Sequence, residues 1–331
     1  MTQEAESVSV HPDFERAAVA MFRYQSVHCA VYRDFLAALG WDLSRCSSVS
    51  TWTELCSAPF LPVEAFKSRT VQTGDYQPEV VFTSSGTTGQ QPSKHGVASL
   101  QAYLVNAQHA FEQTYGPVSE YAWLCLLPGY TERSGSSLVA MAEHFVQQSP
   151  HPENGFFLRE PFDLLKALTA LEKRKQRTVL LGVTFALLDF CEWLPFPLDV
   201  KHTLVMETGG MKGRRTEPTR AQVHATIQQA LGVAQVHSEY GMTELMSQAY
   251  AQRDGLYTPS TTLAVFPRNP DNPLEQGELR RTCGLNVVDL ANAHSCGFLA
   301  LQDVGRVYPD GVFEVLGRFD AAEVRGCSLM L

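Results

Sequence analysis

The chain has 331 residues and a formal net charge of −9 at pH 7, a balance that argues against nucleic acid as a partner. Apolar residues make up 44% of it, an ordinary share for a globular protein with a substantial core. No apolar run approaches the roughly 20 residues that a membrane span needs, and the polar, acidic N-terminus is wrong for a signal peptide. Eight cysteines without metal-type pairing favour a cytoplasmic protein with reduced thiols.

The first 258 residues alternate between helix and strand patterns. Apolar residues at helical spacing predict one or two helices over 13–40, and Val80, Val81 and Phe82 predict a buried strand. Further helices are predicted at 100–115, 138–147, 161–175, 185–193 and 219–231, and further strands at 122–127, 178–183, 203–207 and 234–238. This alternation predicts a mostly parallel sheet flanked by helices, with a ligand site at the carboxyl ends of the strands.

Beyond residue 258 short strands replace helices, which predicts a small antiparallel sheet or barrel. We therefore expect an α/β core over 1–258, a β-rich lobe of the same unit over 259–318, and a hinge-like tail over 319–331. The strands expected in the lobe are 262–266, 277–282, 286–290, 298–301 and 312–316.

A loop rich in hydroxyl groups follows the first predicted strand. Residues 83–89 hold five hydroxyl side chains and two glycines, and Lys94 adds a mobile positive charge. Glycines let backbone N–H groups crowd a ligand, so this loop predicts a cradle for a polyphosphate. The alternative is a flexible loop without a ligand, and the spacing is not that of a Walker A loop. The residues assigned to phosphate binding are Ser84, Ser85, Gly86, Thr87, Thr88 and Gly89.

Two later loops supply groups suited to the rest of a nucleotide. Gly209 and Gly210 would let a flat base lie against backbone, and Tyr240 could stack on that base. Thr243 could donate to the α-phosphate. Glu244 is a carboxylate suited to Mg²⁺, which takes one or two carboxylates together with phosphate oxygens.

Asp303, at the end of a strand in the β-rich lobe, could accept hydrogen bonds from both ribose hydroxyls. Tyr240 alone could instead be a core or rim aromatic, and Asp303 alone a turn residue. The order of the motifs along the chain favours a shared nucleotide site over these separate structural roles.

That order resembles the adenylate-forming superfamily of acyl-CoA synthetases, luciferases and peptide-synthetase adenylation domains. The matching motifs are residues 85–89, 240–244, Asp303 and 317–320, although the glycine that usually precedes the ribose aspartate is absent. The resemblance implies ATP and Mg²⁺ as cofactors. It also assigns Glu239, Gly241 and Arg318 to nucleotide contacts.

A narrower resemblance to the acyl-protein synthetase family of the LuxE type, the fatty-acid reductase component of bacterial bioluminescence, extends over most of the chain. It implies activation of a carboxylic, typically fatty, acid to an acyl-adenylate. The acyl group would then pass to a cysteine near the C-terminus and on to a partner such as an acyl reductase or carrier protein. The matching segments are 61–67, 84–95, 126–141, 207–215, 238–250, 289–292 and 317–330.

The wider superfamily carries a catalytic lysine on a mobile C-terminal domain, which we expect to be missing here because the sequence ends eleven residues after Asp320. A preorganised cation near the transferring phosphoryl group is then needed from elsewhere. Lys94, Lys212 and Arg133 lie in candidate loops, and we favour Lys212.

Cys327 is the candidate acyl acceptor, because a thiolate attacks an acyl-adenylate well and Arg325 could lower its pKa. The alternative is a structural cysteine on a frayed terminus. Two other functions stay open: a ligase that transfers the acyl group to CoA or carrier pantetheine, and a nucleotide-binding module without turnover.

Overall fold

The computed structural model describes residues 8–85, 91–129, 135–209 and 219–319. Within these ranges, no helix is both long and apolar enough to cross a bilayer. The helices are α1 (Pro12–His28), α2 (Ala30–Ala38), α3 (Leu43–Cys46), α4 (Trp52–Cys56), α5 (Ala65–Ser68), α6 (Leu100–Tyr115), α7 (Ser137–Gln148), α8 (Pro161–Lys173), α9 (Thr184–Trp193) and α10 (Arg220–Leu231).

The strands in the same ranges belong to one large sheet and one hairpin. They are β1 (Leu61–Pro62), β2 (Val80–Thr83), β3 (Lys94–Val97), β4 (Ala122–Leu126), β5 (Gly155–Phe156), β6 (Thr178–Val183), β7 (Thr203–Thr208), β8 (Val236–Tyr240), β9 (Ala249–Ala251), β10 (Leu256–Pro259), β11 (Leu263–Arg268), β12 (Cys283–Asp289), β13 (Phe298–Val307) and β14 (Phe313–Arg318).

The large sheet has 12 strands among the described residues, in the order β11-β12-β13-β14-β10-β9-β8-β7-β6-β4-β5, with β1 paired to β13. The half from β5 to β8 is parallel. From β8 to β11, each strand in this order pairs antiparallel with the next. The predicted fold class, a mostly parallel α/β core with a β-rich C-terminal lobe, is thus confirmed.

Two apolar cores hold the sheet. Strands β4 and β6 are buried along their whole length, as expected where helices cover both faces of a parallel sheet. The first core surrounds these strands and includes Trp123. The second core packs α1 and α2 against the antiparallel half, with Phe298 in contact with Phe22 and Tyr32.

Two strand predictions need correction: the strand at 80–82 is present, but its burial and its place in the sheet were predicted wrongly, and 277–282 does not form a strand. Val80–Thr83 does not join the parallel sheet but forms an antiparallel hairpin with Lys94–Val97, where Val81 is 46% exposed and Phe82 is buried. The predicted strand at 277–282 is a turn region, because Arg280 has φ +62° and the N–H of Gly277 donates to the carbonyl of Pro267.

The division of the chain at residue 258 stays a prediction. Residue 258 lies inside β10, which pairs with both β9 and β14. No pattern in the sequence predicts the short strands β9 and β10, and the change from parallel to antiparallel pairing falls between β8 and β9.

The pairing of β13 with β14 beside Asp303 requires glycine at position 305. The register shifts between Val304 and Gly305, and a Cβ on Gly305 would collide with the carbonyl oxygen of Glu314. Gly305→Ala is therefore expected to lower the free energy of unfolding by about 1–3 kcal/mol, measured by urea denaturation. Gly317→Ala is the matched control, because nothing lies within 4 Å of a Cβ there. Equal effects of the two substitutions would contradict the crowding argument.

Candidate functional site

Tyr240, Asp303 and Arg318 meet where β8 reaches the antiparallel half of the sheet. The hydroxyl of Tyr240, the last residue of β8, donates to Oδ2 of Asp303 at 2.6 Å. Arg318 pairs with Asp303 in the β13–β14 register, and its Nε lies 3.3 Å from Oδ1. The ring of Tyr240 packs against Tyr257 and Phe313 at centroid distances of 5.7 and 5.4 Å. Both carboxylate oxygens of Asp303 are thus engaged.

Burial raises the pKa of the Asp303 carboxyl, while the hydrogen bond from Tyr240 and the charge of Arg318 act in the opposite direction. Tyr240 is 9% exposed, so its predicted role in stacking on a base stays a prediction. Its observed contact is with the carboxylate that was predicted to bind ribose.

Glu244 and Thr243 lie on the loop that leaves β8. The side chain of Ser93 donates to the buried carboxylate of Glu244. The backbone of the loop is held on both sides: the amide of Asn292 donates to the carbonyl of Glu244 at 2.8 Å, and Nδ1 of His95 lies 2.8 Å from the carbonyl of Thr243. Because burial lowers the pKa of His95 to about 4, its neutral ring donates from Nδ1 to that carbonyl.

The electrostatics of Glu244 follow from its position. Burial raises its pKa, and the hydrogen bond from Ser93 and the charges of Arg318 and Lys67 oppose that shift. Arg318 therefore acts on both Asp303 and Glu244, which places the ribose and metal candidates in one electrostatic field.

The two ends of the hydroxyl-rich loop are clamped together beside Glu244. The N–H of Ser84 donates to the carbonyl of Ser93 at 3.1 Å, and the N–H of Ser93 donates to Oγ of Ser84 at 2.9 Å. Ser85 and Lys94 are exposed on either side of this clamp. The N–H of Thr83 donates to the carbonyl of Gly135 at 2.7 Å, which ties the hairpin to the loop after β4.

The carboxyl ends of β7 and β8 carry a second group of buried polar side chains. Glu207 accepts hydrogen bonds from Ser238 at 2.7 Å and from Thr184 at 2.9 Å, and Nε2 of His224 lies 3.8 Å away. Burial opposes ionisation of Glu207, but these neighbours outweigh it and keep its pKa below the usual value. The Thr184 hydroxyl is also 2.6 Å from the carbonyl of Gly209, which fixes the start of the glycine loop.

Glu239 lies next to this group and behaves differently. Its carboxylate contacts the hydroxyl of Thr208, its register partner on β7. Burial raises its pKa to about 7, and the charge of Glu207 contributes. One carboxyl of the neighbouring pair is therefore ionised at neutral pH while the other is partly protonated.

Asp289 holds the far end of the loop that leaves β8. Its Oδ2 accepts from the backbone N–H of Met246 at 2.7 Å, and its Oδ1 accepts from the hydroxyl of Ser247 at 2.6 Å. Burial raises its pKa to about 6. No local pattern predicts this contact, because Asp289 and Ser247 lie 42 residues apart in the sequence.

The structure brings several predicted residues together. Tyr240, Thr243 and Glu244 lie on one segment, in contact with Asp303 on one side and with the Ser84–Ser93 clamp on the other. Residues that contribute to the site but were not predicted are Ser93, His95, Thr184, Glu207, Asp289 and Asn292. Predicted residues outside the described ranges are Gly86, Thr87, Thr88, Gly89, Arg133, Gly210, Lys212, Arg325 and Cys327.

The donor set fits a magnesium ion held largely by phosphate. Among the described residues there is no cluster of three or more His, Cys, Asp or Glu side chains that could enclose a metal. Glu244 offers a single buried carboxylate beside the hydroxyl-rich loop, and Mg²⁺ commonly binds through one or two carboxylates plus substrate phosphates.

The fold is shared with a solved CoA ligase. A 2-hydroxyisobutyryl-CoA ligase, solved in an open conformation with 2-HIB-AMP and CoA, superposes with a TM-score of 0.67 at 14% identity, covering 96% of this chain and 77% of that one. For ATP-bound MatB from Rhodopseudomonas palustris the TM-score is 0.52 at 16% identity, with coverage of 91% and 61%. The amide bond synthetase McbA from Marinactinospora thermotolerans gives 0.50 at 18% identity, with coverage of 72% and 48%.

At these identities the likeness establishes the shared fold. The chain matches no protein-family model. A search of curated proteins finds no match either. The LuxE-type resemblance, and the site roles carried over from it, therefore stay predictions.

The pKa of Glu239 predicts a pH-dependent stability. Its carboxyl is protonated in the folded protein up to about pH 7 but ionises near 4.5 when unfolded. The folded state thus binds more protons between these values, so the free energy of unfolding falls as pH rises, by on the order of 3 kcal/mol. Glu239→Gln removes this term, and its stability relative to the unsubstituted protein should rise between pH 5 and pH 8 in urea denaturation.

The matched control is Glu278→Gln, at a carboxylate whose side chain is 72% exposed. Its stability relative to the unsubstituted protein should stay constant across the same range. Parallel curves for Glu239→Gln and the control would contradict the shifted pKa.

Proposed function

We propose that the protein is an ATP-dependent ligase that activates a carboxylic acid as an acyl-adenylate. The supporting observation is the convergence on residues 240–244 of a buried aspartate held by Tyr240 and of a hydroxyl-rich loop clamped beside Glu244. Ribose needs an acceptor, and a polyphosphate with its metal needs hydroxyls, backbone donors and a carboxylate. The shared fold with a ligase solved with 2-HIB-AMP supports the same reaction class.

In the first step a carboxylate oxygen of the acid attacks the α-phosphorus of ATP. The bond to the pyrophosphate oxygen breaks, which gives acyl-AMP and pyrophosphate. Asp303 would hold the ribose, Ser84 and Ser85 would contact the phosphates, and Glu244 would ligate Mg²⁺. The metal would supply positive charge to the phosphate oxygens. Lys94 and Lys212 are the proposed cations at the transferring phosphoryl group.

In the second step the thiolate of Cys327 attacks the acyl carbonyl carbon. A C–S bond forms and the bond to the AMP oxygen breaks, with AMP as the leaving group. The backbone N–H of Phe319 donates to the carbonyl of Gln302, the residue before Asp303. Eight extended residues reach up to ~27 Å from there, so covalent geometry permits the thiol to reach the site. A partner acyl reductase or carrier protein would then take the acyl group.

Separate roles for Asp303 and Glu244 predict separate kinetic defects. Asp303→Asn should raise the KM for ATP by roughly ten- to hundredfold, because it weakens a charge-assisted hydrogen bond. Glu244→Gln should instead raise the Mg²⁺ concentration needed for half-maximal rate. ATP–pyrophosphate exchange, measured at varied ATP and varied Mg²⁺ across a panel of acids, checks both.

Glu278→Gln serves as the control and should leave both constants unchanged. If Asp303→Asn and Glu244→Gln both exchange pyrophosphate at the unsubstituted rate with unchanged constants, the assignment of the site is wrong.

Substitution of Cys327 should abolish the second step of the reaction and leave the first step intact. Cys327→Ser should retain pyrophosphate exchange but lose ATP-dependent, hydroxylamine-labile labelling of the chain by a radioactive acid. Cys296→Ser, at a buried thiol in the second core, is the matched control and should keep the label. Equal labelling of Cys327→Ser and the unsubstituted protein would exclude Cys327 as the acceptor.

A second candidate acceptor is CoA, because the similar ligase was solved with CoA. In that case Cys327→Ser would still release acyl-CoA when CoA is supplied. Chromatography of the products of the same reactions distinguishes the two acceptors.

A further inference from the structure

Two buried polar atoms lie without a partner close to Glu239. Oε1 of Gln248 and the hydroxyl of Tyr250 make no hydrogen bond within the described part of the chain, although each residue is only 2% exposed. An unsatisfied buried polar group destabilises the folded state, and such groups are rare in native proteins. Two of them in one place indicate a site that is completed by a bound group.

These atoms belong to one cluster around the end of β8. Tyr250 lies directly opposite Glu239 in the antiparallel β8–β9 register. A Cβ on Gly241 would lie 2.6 Å from Oε1 of Glu239 and 3.7 Å from Cγ of Gln248. Both side chains therefore lie against Gly241, which is exposed. The cluster is thus adjacent to the loop that carries Thr243 and Glu244.

Tyr103 on α6 also borders this cluster and is already engaged, while the ring of Tyr250 packs against Phe111 and Tyr115. The hydroxyl of Tyr103 donates to the carbonyl of Ser137 at 3.0 Å and is 3.5 Å from Nε2 of Gln248. The amide nitrogen of Gln248 is thereby directed toward Tyr103, which leaves the amide oxygen as the free atom. The cluster consequently presents two acceptors, Oε1 of Gln248 and the carboxyl group of Glu239, beside the hydroxyl of Tyr250, which can both accept and donate.

We propose that Glu239, Gln248 and Tyr250 bind a hydrogen-bond-donating group, a hydroxyl or an ammonium, on the carboxylic acid that the protein activates. This inference rests on the proposed function and narrows its substrate class to polar acids. Acceptors require a donor as their complement. A plain alkyl chain would leave Gln248 and Tyr250 buried and unpaired, whereas a donor on the acid satisfies them. The assignment also gives Glu239 a contact with the acid in place of the predicted contact with the nucleotide.

Acids of equal chain length test the substrate class. Pyrophosphate exchange is measured with pentanoic, 5-hydroxypentanoic and 5-aminopentanoic acids, and with the corresponding four- and six-carbon series. A donor-bearing acid should exceed its alkyl counterpart in kcat/KM by about tenfold or more, since sites built around buried polar groups discriminate against analogues that lack the matching group. Comparison of the hydroxy acids with the amino acids identifies whether the site binds a hydroxyl or an ammonium group.

A preference for the alkyl acids would overturn the inference and leave the proposed function standing. Absence of exchange with every acid, including long-chain fatty acids, would overturn both.

Substitutions test whether Gln248 contacts the donor group of the acid. Gln248→Leu should lower the ratio of kcat/KM for the donor-bearing acid over the alkyl acid by about tenfold. Gln252→Leu, at an exposed glutamine on the same segment, should leave that ratio unchanged. An unchanged ratio in Gln248→Leu would remove Gln248 from the site.

Tyr250→Phe provides a readout that does not depend on activity. Because the hydroxyl has no hydrogen-bond partner among the described residues, its removal should leave the Tm equal to or above that of the unsubstituted protein. A lower Tm would show that the hydroxyl is paired internally, and the inference would fall.

Discussion

The site depends on carboxyl groups that are buried around one segment, residues 238–247. Glu239 and Glu244 belong to this segment, and Glu207, Asp289 and Asp303 each accept a hydrogen bond from it. All five residues are at most 6% exposed. A buried carboxylate is costly unless hydrogen bonds replace its lost contacts with water. Donors on this segment supply such hydrogen bonds to Glu207, Asp289 and Asp303, and the same hydrogen bonds hold the segment in place. It joins the parallel half of the sheet to the antiparallel half, and this is where the motif residues converge.

The sequence could predict the parallel half of the sheet because burial on both faces leaves a strong local signal. Strands β4 and β6 are continuous apolar runs, and their predicted bounds agree with the structure to within one residue. The loop after β8 was predictable for a related reason: its polar residues follow a strand, and the carboxyl ends of parallel strands meet at one edge.

Other elements could not be predicted because their determinants are distant in sequence or weak. The run from Val80 to Phe82 has the composition of a buried strand, but its pairing with β3 leaves Val81 half exposed. Strand β9 has three residues and no periodicity to detect. Glu207 and Asp289 contact the segment 238–247 through residues that include Ser238 and Ser247, which lie 31 and 42 residues away. Short-range patterns carry no information about such pairs.

The two oxygens of Asp303 are held with different firmness, and this decides which one a ligand could reach. Oδ2 accepts from the buried hydroxyl of Tyr240 at 2.6 Å, so the orientation of the carboxylate is fixed from inside the protein. Oδ1 faces Arg318 at 3.3 Å, and the side chain of Arg318 is 56% exposed. Because the Arg318 end of this pair is exposed to solvent, a hydroxyl donor can take over its contact with Oδ1. Tyr240 therefore orients Asp303 while Oδ1 stays exchangeable, an arrangement that fits the proposed role of Asp303 in ribose binding.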